Sequence, residues 1–332
     1  MDKAIIRQWY DVFKDNHYPV EIRIIGRGKA TYSGYFTDVE TLIRAIEPYE
    51  DNNIFFTLNR LKDGVEEKNQ KDKIVKNAAT TTADHDILGR EWCLIDIDVE
   101  RPKDTNSTDE EVEMAKEVAK QVSTFLKEEG FYSPVSCMSG NGAHLLYKQA
   151  MTNEGEAGEK NRKTMEKFLK FLDMRFSTDK CKIDTSTFNA ARICKLYGTY
   201  SRKGSELSKT RPQRLSYIAK VPNEVKATPN EFFEKIASMY PESETPQRYN
   251  NYRPDQQFDL DSFISQNGIA VSKISRFSGG TKYVLEHCPF NHQHGAPDAA
   301  VFKLDNGALG FHCLHNSCSQ YSWRDFRLHF DP

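Results

Sequence analysis

The N-terminal part of the chain alternates short apolar runs with turn residues. Residues 20–25 and 54–58 have the alternation of strands, and residues 39–46 have the spacing of a short helix. A further apolar run, residues 92–97, predicts a buried strand. The long charged and threonine-rich stretch before it, residues 61–90, predicts a loop that leads into this strand.

Two longer segments have helical periodicity. In the first, Thr108 and Glu111 form a capping box, and Gly130 provides a C-terminal cap. Between them, apolar residues recur on one face, which predicts core packing. The second segment covers about residues 155–176 and is strongly charged on its other face. Strands and helices therefore mix along the chain, which predicts an α+β fold.

A change in composition divides the chain. Residues 241–257 are polar, proline-containing and almost free of aliphatic side chains, which is typical of a linker. The predicted domains are therefore residues 1–240 and residues 258–332, and a length of 332 residues suits this division.

Charge and hydropathy exclude some classes of protein. The chain has 46 basic and 48 acidic residues, so it is not a histone-like basic protein. Nucleic-acid binding needs only a local basic groove and is compatible with this balance. The sequence contains no run of the ~20 apolar residues that a membrane span requires. We therefore expect a cytoplasmic protein with no membrane partner.

Two aspartates end the buried strand at residues 92–97. Asp96 and Asp98 are two positions apart, so their side chains lie on the same face of the strand. Neighbouring carboxylates repel each other unless a cation lies between them, and oxygen ligands favour magnesium or manganese. An Asp-x-Asp pair alone is more often a solvated strand end, so the assignment depends on the motifs that follow.

A glycine-rich hairpin follows the first helix. Ser139, Gly140, Asn141 and Gly142 separate two apolar runs, and His144 lies just inside the second run. A single histidine in a strand is usually structural. Here the glycines also allow the backbone to approach a phosphate closely, so His144 is a candidate ligand for phosphate.

A third aspartate, Asp184, follows the apolar residue Ile183, and a basic segment comes next. Asn189, Arg192 and Lys195 occur in an otherwise apolar stretch, the mixture expected where a strand presents cations to phosphates. A basic edge strand exposed to solvent is an equally good interpretation of this segment alone.

The cysteines indicate a metal site. Three of the seven lie from residue 287 onward, together with six of the nine histidines, whereas the other cysteines are scattered singly. This distribution favours a reduced chain with bound zinc over a disulfide framework. Three thiolates and one imidazole form the tetrahedron of a structural site in a small ribbon-like domain. The predicted ligands are Cys288, His294, Cys313 and Cys318, with His292 and His315 as alternatives.

Three stretches taken together resemble a known family. Residues 94–98, 139–144 and 183–184 are similar, in order and spacing, to the three motifs of the archaeo-eukaryotic primase superfamily. The likeness is closest to the primase-polymerases of phages and plasmids and covers about residues 15–220. Residues 288–323 are similar to the zinc segment that accompanies such primases, often ahead of a helicase module.

The resemblance implies a mixed-sheet catalytic core with flanking helices and a role for each matching residue. Asp96, Asp98 and Asp184 would hold two divalent metals, magnesium or manganese, at the primer 3′-hydroxyl and the nucleotide α-phosphate. His144 would contact the triphosphate. The other residues implied in nucleotide or phosphate binding are Ser139, Gly142, Asn189, Arg192 and Lys195.

The function expected from this resemblance is DNA primase or primase-polymerase activity. Its substrates would be a single-stranded DNA template and nucleoside triphosphates, and a replicative helicase would be a partner. Two alternatives remain. A metal-dependent nuclease also uses a carboxylate triad, but the hairpin with His144 favours a triphosphate ligand. A non-catalytic protein that binds nucleic acid or loads a helicase is the second alternative.

Overall fold

The computed structural model describes residues 1–14, 18–26, 30–203, 208–241, 258–277, 279–313, 315, 318 and 321–331. It has a mixed α+β architecture with several sheets. The predicted linker, residues 241–257, lies outside the described residues apart from Pro241. The helices are α1 (Lys3–Phe13), α2 (Val39–Ile46), α3 (Asp109–Glu128), α4 (Gly155–Phe176), α5 (Asn230–Ser238), α6 (Leu260–Gln266) and α7 (Trp323–Phe330).

The first sheet is antiparallel and is built mainly from the N-terminal strands. Its order is β2 (Thr31–Phe36), β1 (Val20–Ile25), β3 (Asn53–Thr57) and β9 (Ile193–Lys195). One face packs with α1 and α2 in a core that includes Trp9, Ile22, Ile43 and Phe56. The strands and the short helix predicted in this region are confirmed, because their apolar positions are the ones that this core buries.

The second sheet, which we call the central sheet, is also antiparallel. Its order is β12 (Tyr217–Lys220), β6 (Val135–Met138), β7 (Ala143–Thr152), β5 (Ile87–Val99) and β4 (Arg60–Leu61), and β8 (Cys181–Ile183) pairs with the end of β5. Strand β5 has 13 residues and is longer than the apolar run predicts, because its first half pairs with β4 and β7.

The two faces of β5 belong to different cores. Ile95 and Ile97 pack under α3, α4 and α5, whereas Trp92 and Leu94 pack towards the first sheet. Since side chains alternate along a strand, Asp96 and Asp98 lie on the same side as Trp92 and Leu94. The carboxylates therefore face away from the helical layer.

The helices begin and end as the sequence predicts. The Thr108 side chain accepts a hydrogen bond from the backbone N–H of Glu111, and the Glu111 carboxylate accepts one from Thr108. After α3, Gly130 takes a φ of 98°, a left-handed conformation that side chains with a Cβ rarely adopt. Helix α4 covers residues 155–176, as predicted.

The described residues from 258 onward, which we call the C-terminal region, form a separate sheet. Its order is β13 (Val271–Phe277), β14 (Gly280–Leu285), β17 (Ala299–Leu304) and β18 (Leu309–Cys313). A hairpin of β15 (His287–Cys288) and β16 (Asn291–Gly295) lies beside it, and α6 and α7 cover one face. The other face contributes Phe277, Phe302 and Leu304 to the core under α3 and α4. The helical layer therefore lies between the central sheet and this sheet.

A short ribbon, β10 (Tyr200–Ser201) and β11 (Arg214–Leu215), completes the strands of the described chain. In the described part of the protein, no helix has the length and apolar character needed to cross a membrane.

Candidate functional site

Strand pairing brings the predicted acidic residues to one end of the central sheet. Asp96 lies opposite His144 of β7, and Asp98 lies opposite Lys182 of β8. Asp184 follows β8, and its backbone N–H donates to the carbonyl of Asp96 at 2.9 Å. Three aspartates that are up to 88 positions apart in sequence therefore meet across neighbouring strands.

Asp96 and His144 form an ion pair beneath the surface. Nε2 of His144 lies 3.3 Å from Oδ1 of Asp96, and Nδ1 lies 2.8 Å from the hydroxyl of Tyr197. Burial alone would lower the pKa of His144, but the Asp96 carboxylate outweighs it and raises that pKa well above its usual value. Burial alone would raise the pKa of Asp96, and the imidazolium reverses this effect and lowers it. The ring is thus held as a cation between Asp96 and Tyr197.

Asp98 has the opposite electrostatic character. Its side chain is 51% exposed, and Nη1 of Arg101 lies 3.8 Å from its carboxylate. The neighbouring charge of Asp96, together with partial desolvation, raises the pKa of Asp98 to about 6. Two carboxylates on one strand face therefore repel each other, as the sequence pattern predicts, and a cation between them would relieve the repulsion.

Asp184 is held by a cation of its own. Its Oδ2 accepts a hydrogen bond from Nη2 of Arg192 at 2.8 Å, and its Oδ1 accepts one from the backbone N–H of Ser186 at 2.8 Å. Nε of Arg192 is buried and has no hydrogen-bond partner. The structure thus brings the predicted cation Arg192 directly to the predicted carboxylate.

The glycine-rich hairpin closes against the end of β5. The backbone N–H of Ser139 donates to the carbonyl of Gly142, and the backbone N–H of Gly142 donates to the Ser139 hydroxyl, both at 3.0 Å. A Cβ on Gly142 would come within 2.3 Å of the carbonyl oxygen of Ile97, so only glycine fits there. The hairpin therefore lies beside Asp98.

Asn141 fixes this hairpin from inside. Its side-chain oxygen accepts from the backbone N–H of Ser107 at 2.8 Å, and its amide donates to the hydroxyl of Ser201 at 2.9 Å. In the sequence, Asn141 is recognisable only as a turn residue with no predicted role. The long range of these contacts, to residues 34 and 60 positions away, explains why a local pattern does not reveal them.

An open cleft of about 450 Å³ lies in front of two of the aspartates, and we call it the carboxylate cleft. Asp98 and Asp184 form part of its wall. Four basic side chains line the same space: Arg101, Lys103, Lys182 and Lys203. Lys203 belongs to the basic segment that the sequence predicts as a source of cations for phosphates, whereas Arg101, Lys103 and Lys182 are not predicted as site residues. Acidic and basic groups facing one cleft suit a ligand that carries both metal ions and phosphates.

Two predicted phosphate-binding residues contact other parts of the molecule. The Asn189 amide lies 3.4 Å from Asp84. Lys195 is buried, and its Nζ donates to the carbonyl of Tyr200 at 2.8 Å. Burial, reinforced by Arg202 and Lys203, lowers the pKa of Lys195 to about 7. Neither side chain is among those that line the carboxylate cleft.

The second candidate site lies in the C-terminal region. Cys288, His294, Cys313 and Cys318, which we call the cysteine–histidine cluster, each bring one ligand atom to within 4.8 Å of the others. Nδ1 of His294 lies 3.4 Å from the sulfur atoms of both Cys313 and Cys318. All four residues are buried. This set could hold a structural metal ion such as zinc, because three thiolates and an imidazole suit its tetrahedral geometry.

The alternative histidine ligands lie outside this cluster. The ring of His315 stacks on His294 with centroids 3.7 Å apart, and its Nε2 lies 2.9 Å from Asp298. His292 is exposed and lies beside His287. The geometry therefore selects His294, and places His315 as a neighbour of a ligand.

Among the described residues, the cysteine–histidine cluster is the one group of three or more such side chains gathered closely enough to hold a metal ion. The three predicted aspartates lie at one end of the central sheet but are not gathered this closely, and Asp96 and Asp184 each contact a cationic side chain.

Comparison with known proteins gives no relative. No family model matches the sequence, and neither a curated protein nor a solved structure matches the chain.

Proposed function

We propose that this protein is a template-dependent nucleotidyltransferase, a DNA primase or primase-polymerase with an archaeo-eukaryotic primase-type core. The observation that carries the proposal is the meeting of Asp96, Asp98 and Asp184 beside the Ser139–Gly142 turn. The order of the three motifs along the chain supports the same conclusion.

The donor set suits hard divalent cations, because three carboxylates offer oxygen ligands only. Asp96, Asp98 and Asp184 would hold magnesium or manganese. Two bound metals would neutralise charge on both the attacking and the leaving oxygen of phosphoryl transfer. In this reaction the primer 3′-oxygen bonds to the α-phosphorus of the nucleotide, and pyrophosphate leaves.

The remaining side chains position the reactants. Glu100 and Asp104 line the cleft as well, and Glu100 pairs with Lys182. Arg101, Lys103 and Lys203 would contact the phosphates of a triphosphate and a template. His144 orients Asp96 and keeps it charged, and Tyr197 fixes the ring from the other side. The resemblance gives His144 a triphosphate contact as well, which would use the same Nε2 edge.

The cysteine–histidine cluster has a different role in this proposal. Its ligand atoms are buried and closed off, so a bound zinc ion would hold the C-terminal region together and take no part in the chemistry. Template DNA, nucleoside triphosphates and a replicative helicase are the partners that we propose.

The experiment is a gel assay with purified protein, single-stranded template, labelled nucleotides and manganese or magnesium, first without and then with a primer. New oligonucleotides without a primer would identify a primase. Extension of a supplied primer alone would identify a polymerase. We expect Asp98→Ala to reduce synthesis by about a thousandfold, because one group that stabilises the transition-state charge is commonly worth 10²–10³.

Two results would contradict the proposal. Shortening of the template, abolished in Asp98→Ala, would identify a nuclease. Binding of template with no metal-dependent nucleotide binding or synthesis would identify a non-catalytic protein. Thermal unfolding of Asp98→Ala is the control for folding, since Asp98 is half exposed and its loss removes a repulsion.

A further inference from the structure

A second groove, of about 650 Å³, lies away from the carboxylate cleft. We call it the α3 groove. The C-terminal half of α3, the segment after α3, the edge strand β12 and residues 221–226 form its walls. Its lining is rich in hydroxyl and amino groups, including those of Ser123, Ser136, Lys127, Lys220 and Lys226.

The α3 groove carries one exposed aromatic ring. Tyr132 lines it and is 45% exposed, and its backbone N–H is anchored by the Thr228 hydroxyl. Tyr217, on β12, is 38% exposed but is not among the residues that line the groove. Among the described residues, Tyr200 is the one other aromatic side chain exposed to this degree. An exposed ring on an ordered backbone is a surface on which a nucleic-acid base can stack.

The charge around the Tyr132 ring is mainly positive. Lys127 and Lys220 are exposed and form no ion pair with a described residue, whereas Lys226 lies 2.8 Å from Glu224. Glu224 is the one carboxylate among the residues that line the groove. Unpaired lysines beside an exposed aromatic ring are the combination that binds single strands, because phosphates and bases are contacted together.

Helix α3 connects this groove to the carboxylate cleft. The helix begins next to the cleft, where the backbone N–H of Lys203 donates to Asn106, two residues before the Thr108 cap. Its 20 residues make it about 30 Å long at a rise of 1.5 Å per residue. A strand that leaves the cleft along α3 would reach the groove near the helix C-terminus.

We propose that the α3 groove binds single-stranded nucleic acid and forms the outer part of the template track. This inference rests on the proposed function for the identity of the strand as a template. The edge strand β12 could instead pair with a peptide, but it has only four residues and ends in a lysine, features that disfavour strand addition.

The test is fluorescence anisotropy with labelled oligothymidine of about 16 nucleotides, the upper range of a single-strand site. It requires no catalysis. We expect Tyr132→Ala to weaken binding about five- to a hundredfold, from the loss of base stacking. Tyr132→Phe keeps the ring and should retain most of the affinity.

The lysines are tested by salt dependence. Lys127→Gln combined with Lys220→Gln should reduce the slope of log affinity against log salt by about 1.4, or about 0.7 for each lost phosphate contact on a single strand. The matched control is Lys71→Gln with Lys76→Gln, two exposed lysines outside the groove that also form no ion pair with a described residue, so the net charge changes equally.

The outcomes separate this inference from the proposed function. If the variants in the α3 groove bind DNA like the unmodified protein while synthesis depends on Asp98, the inference fails and the proposed function stands. If Tyr132→Ala and the lysine pair weaken binding but no synthesis occurs, the groove binds nucleic acid and the proposed function fails. Absence of any DNA binding by the unmodified protein would overturn the inference.

Discussion

The three aspartates and the cysteine–histidine cluster differ in how closely their side chains gather. In the cluster, four buried side chains each bring a ligand atom to within 4.8 Å of the others. Asp98 and Asp184 line the open carboxylate cleft, and Asp96 lies beneath the surface. Their carboxylates contact Arg101, Arg192 and His144, respectively. The cluster is therefore closed, whereas the carboxylates are paired with cationic side chains.

This difference has a functional meaning. A closed tetrahedral site binds its metal as part of folding. Under the proposed function, the ion pairs of the carboxylates would exchange for bound metals when a nucleotide arrives with its own negative charge. Arg192, released from Asp184, would then be free to contact phosphate, the role that the family resemblance implies for it.

The prediction with the largest expected effect tests whether the cysteine–histidine cluster is a closed metal site. Cys313→Ser removes a buried ligand at the end of β18 and should cause loss of about one metal ion per chain. Structural zinc is worth about 10 kcal/mol or more, which is comparable with the whole stability of a domain. We therefore expect the C-terminal region to unfold, as measured by metal analysis and limited proteolysis.

The matched control is Cys181→Ser, which replaces an equally buried cysteine in β8 that belongs to no metal cluster. The Cys181→Ser protein should keep the metal ion of the cysteine–histidine cluster. Zinc content that Cys313→Ser leaves unchanged would mean that the cluster is not a metal site.

The sequence predicted the cluster and the strand ends because both depend on local spacing. The apolar run before Asp96 is buried on both faces of β5, and the cap at Thr108 is completed within three positions. The order Cys288, His294, Cys313, Cys318 constrains a site even without knowledge of the fold, because knuckle spacing reflects tetrahedral coordination.

The partners of the site residues could not be predicted in this way. Tyr197 reaches His144 across 53 positions, and Lys195 turns to Tyr200 because alternate side chains of β9 face opposite directions. Arg101 contributes to the cleft because the loop after β5 folds back beside Asp98. These contacts arise from strand order and register, which periodicity alone does not specify.

An effect of intermediate size concerns the pH dependence of the cleft. The pKa of Asp98 is raised to about 6 from its usual value near 3.8. Between these two pH values the folded protein therefore holds a proton that the unfolded chain has released. Below that pKa a metal must displace the proton. Manganese affinity should therefore fall about tenfold for each pH unit below 6.

The direction in which the Asp98 charge changes stability with pH is checked with the metal-free protein. Because the folded-state pKa is raised, the charge on Asp98 increasingly destabilises the fold as the pH rises from about 4 to about 6. At higher pH the full destabilisation remains. Asp98→Asn should therefore raise the melting temperature at neutral pH and have little effect in acid. Equal manganese affinity at pH values on both sides of 6 would mean that Asp98 is not a ligand.

The smallest expected effect concerns Tyr197, whose hydroxyl contacts Nδ1 of His144. Tyr197→Phe removes the hydroxyl 2.8 Å from Nδ1 of His144 and leaves that buried nitrogen only the weaker Cys194 thiol at 3.6 Å, which costs about 1–3 kcal/mol. We expect synthesis to fall about tenfold and the His144 titration, followed by NMR, to shift. Tyr35→Phe is the matched control, because it removes another buried hydroxyl, paired with Thr82, on a different face. If both variants lose equal stability and equal activity, Tyr197 acts through the fold and does not position His144. A shifted His144 titration and reduced synthesis in Tyr197→Phe alone would instead mean that Tyr197 orients His144 for its contact with Asp96. Residues that hold metal ligands in place have the same role in closed metal sites.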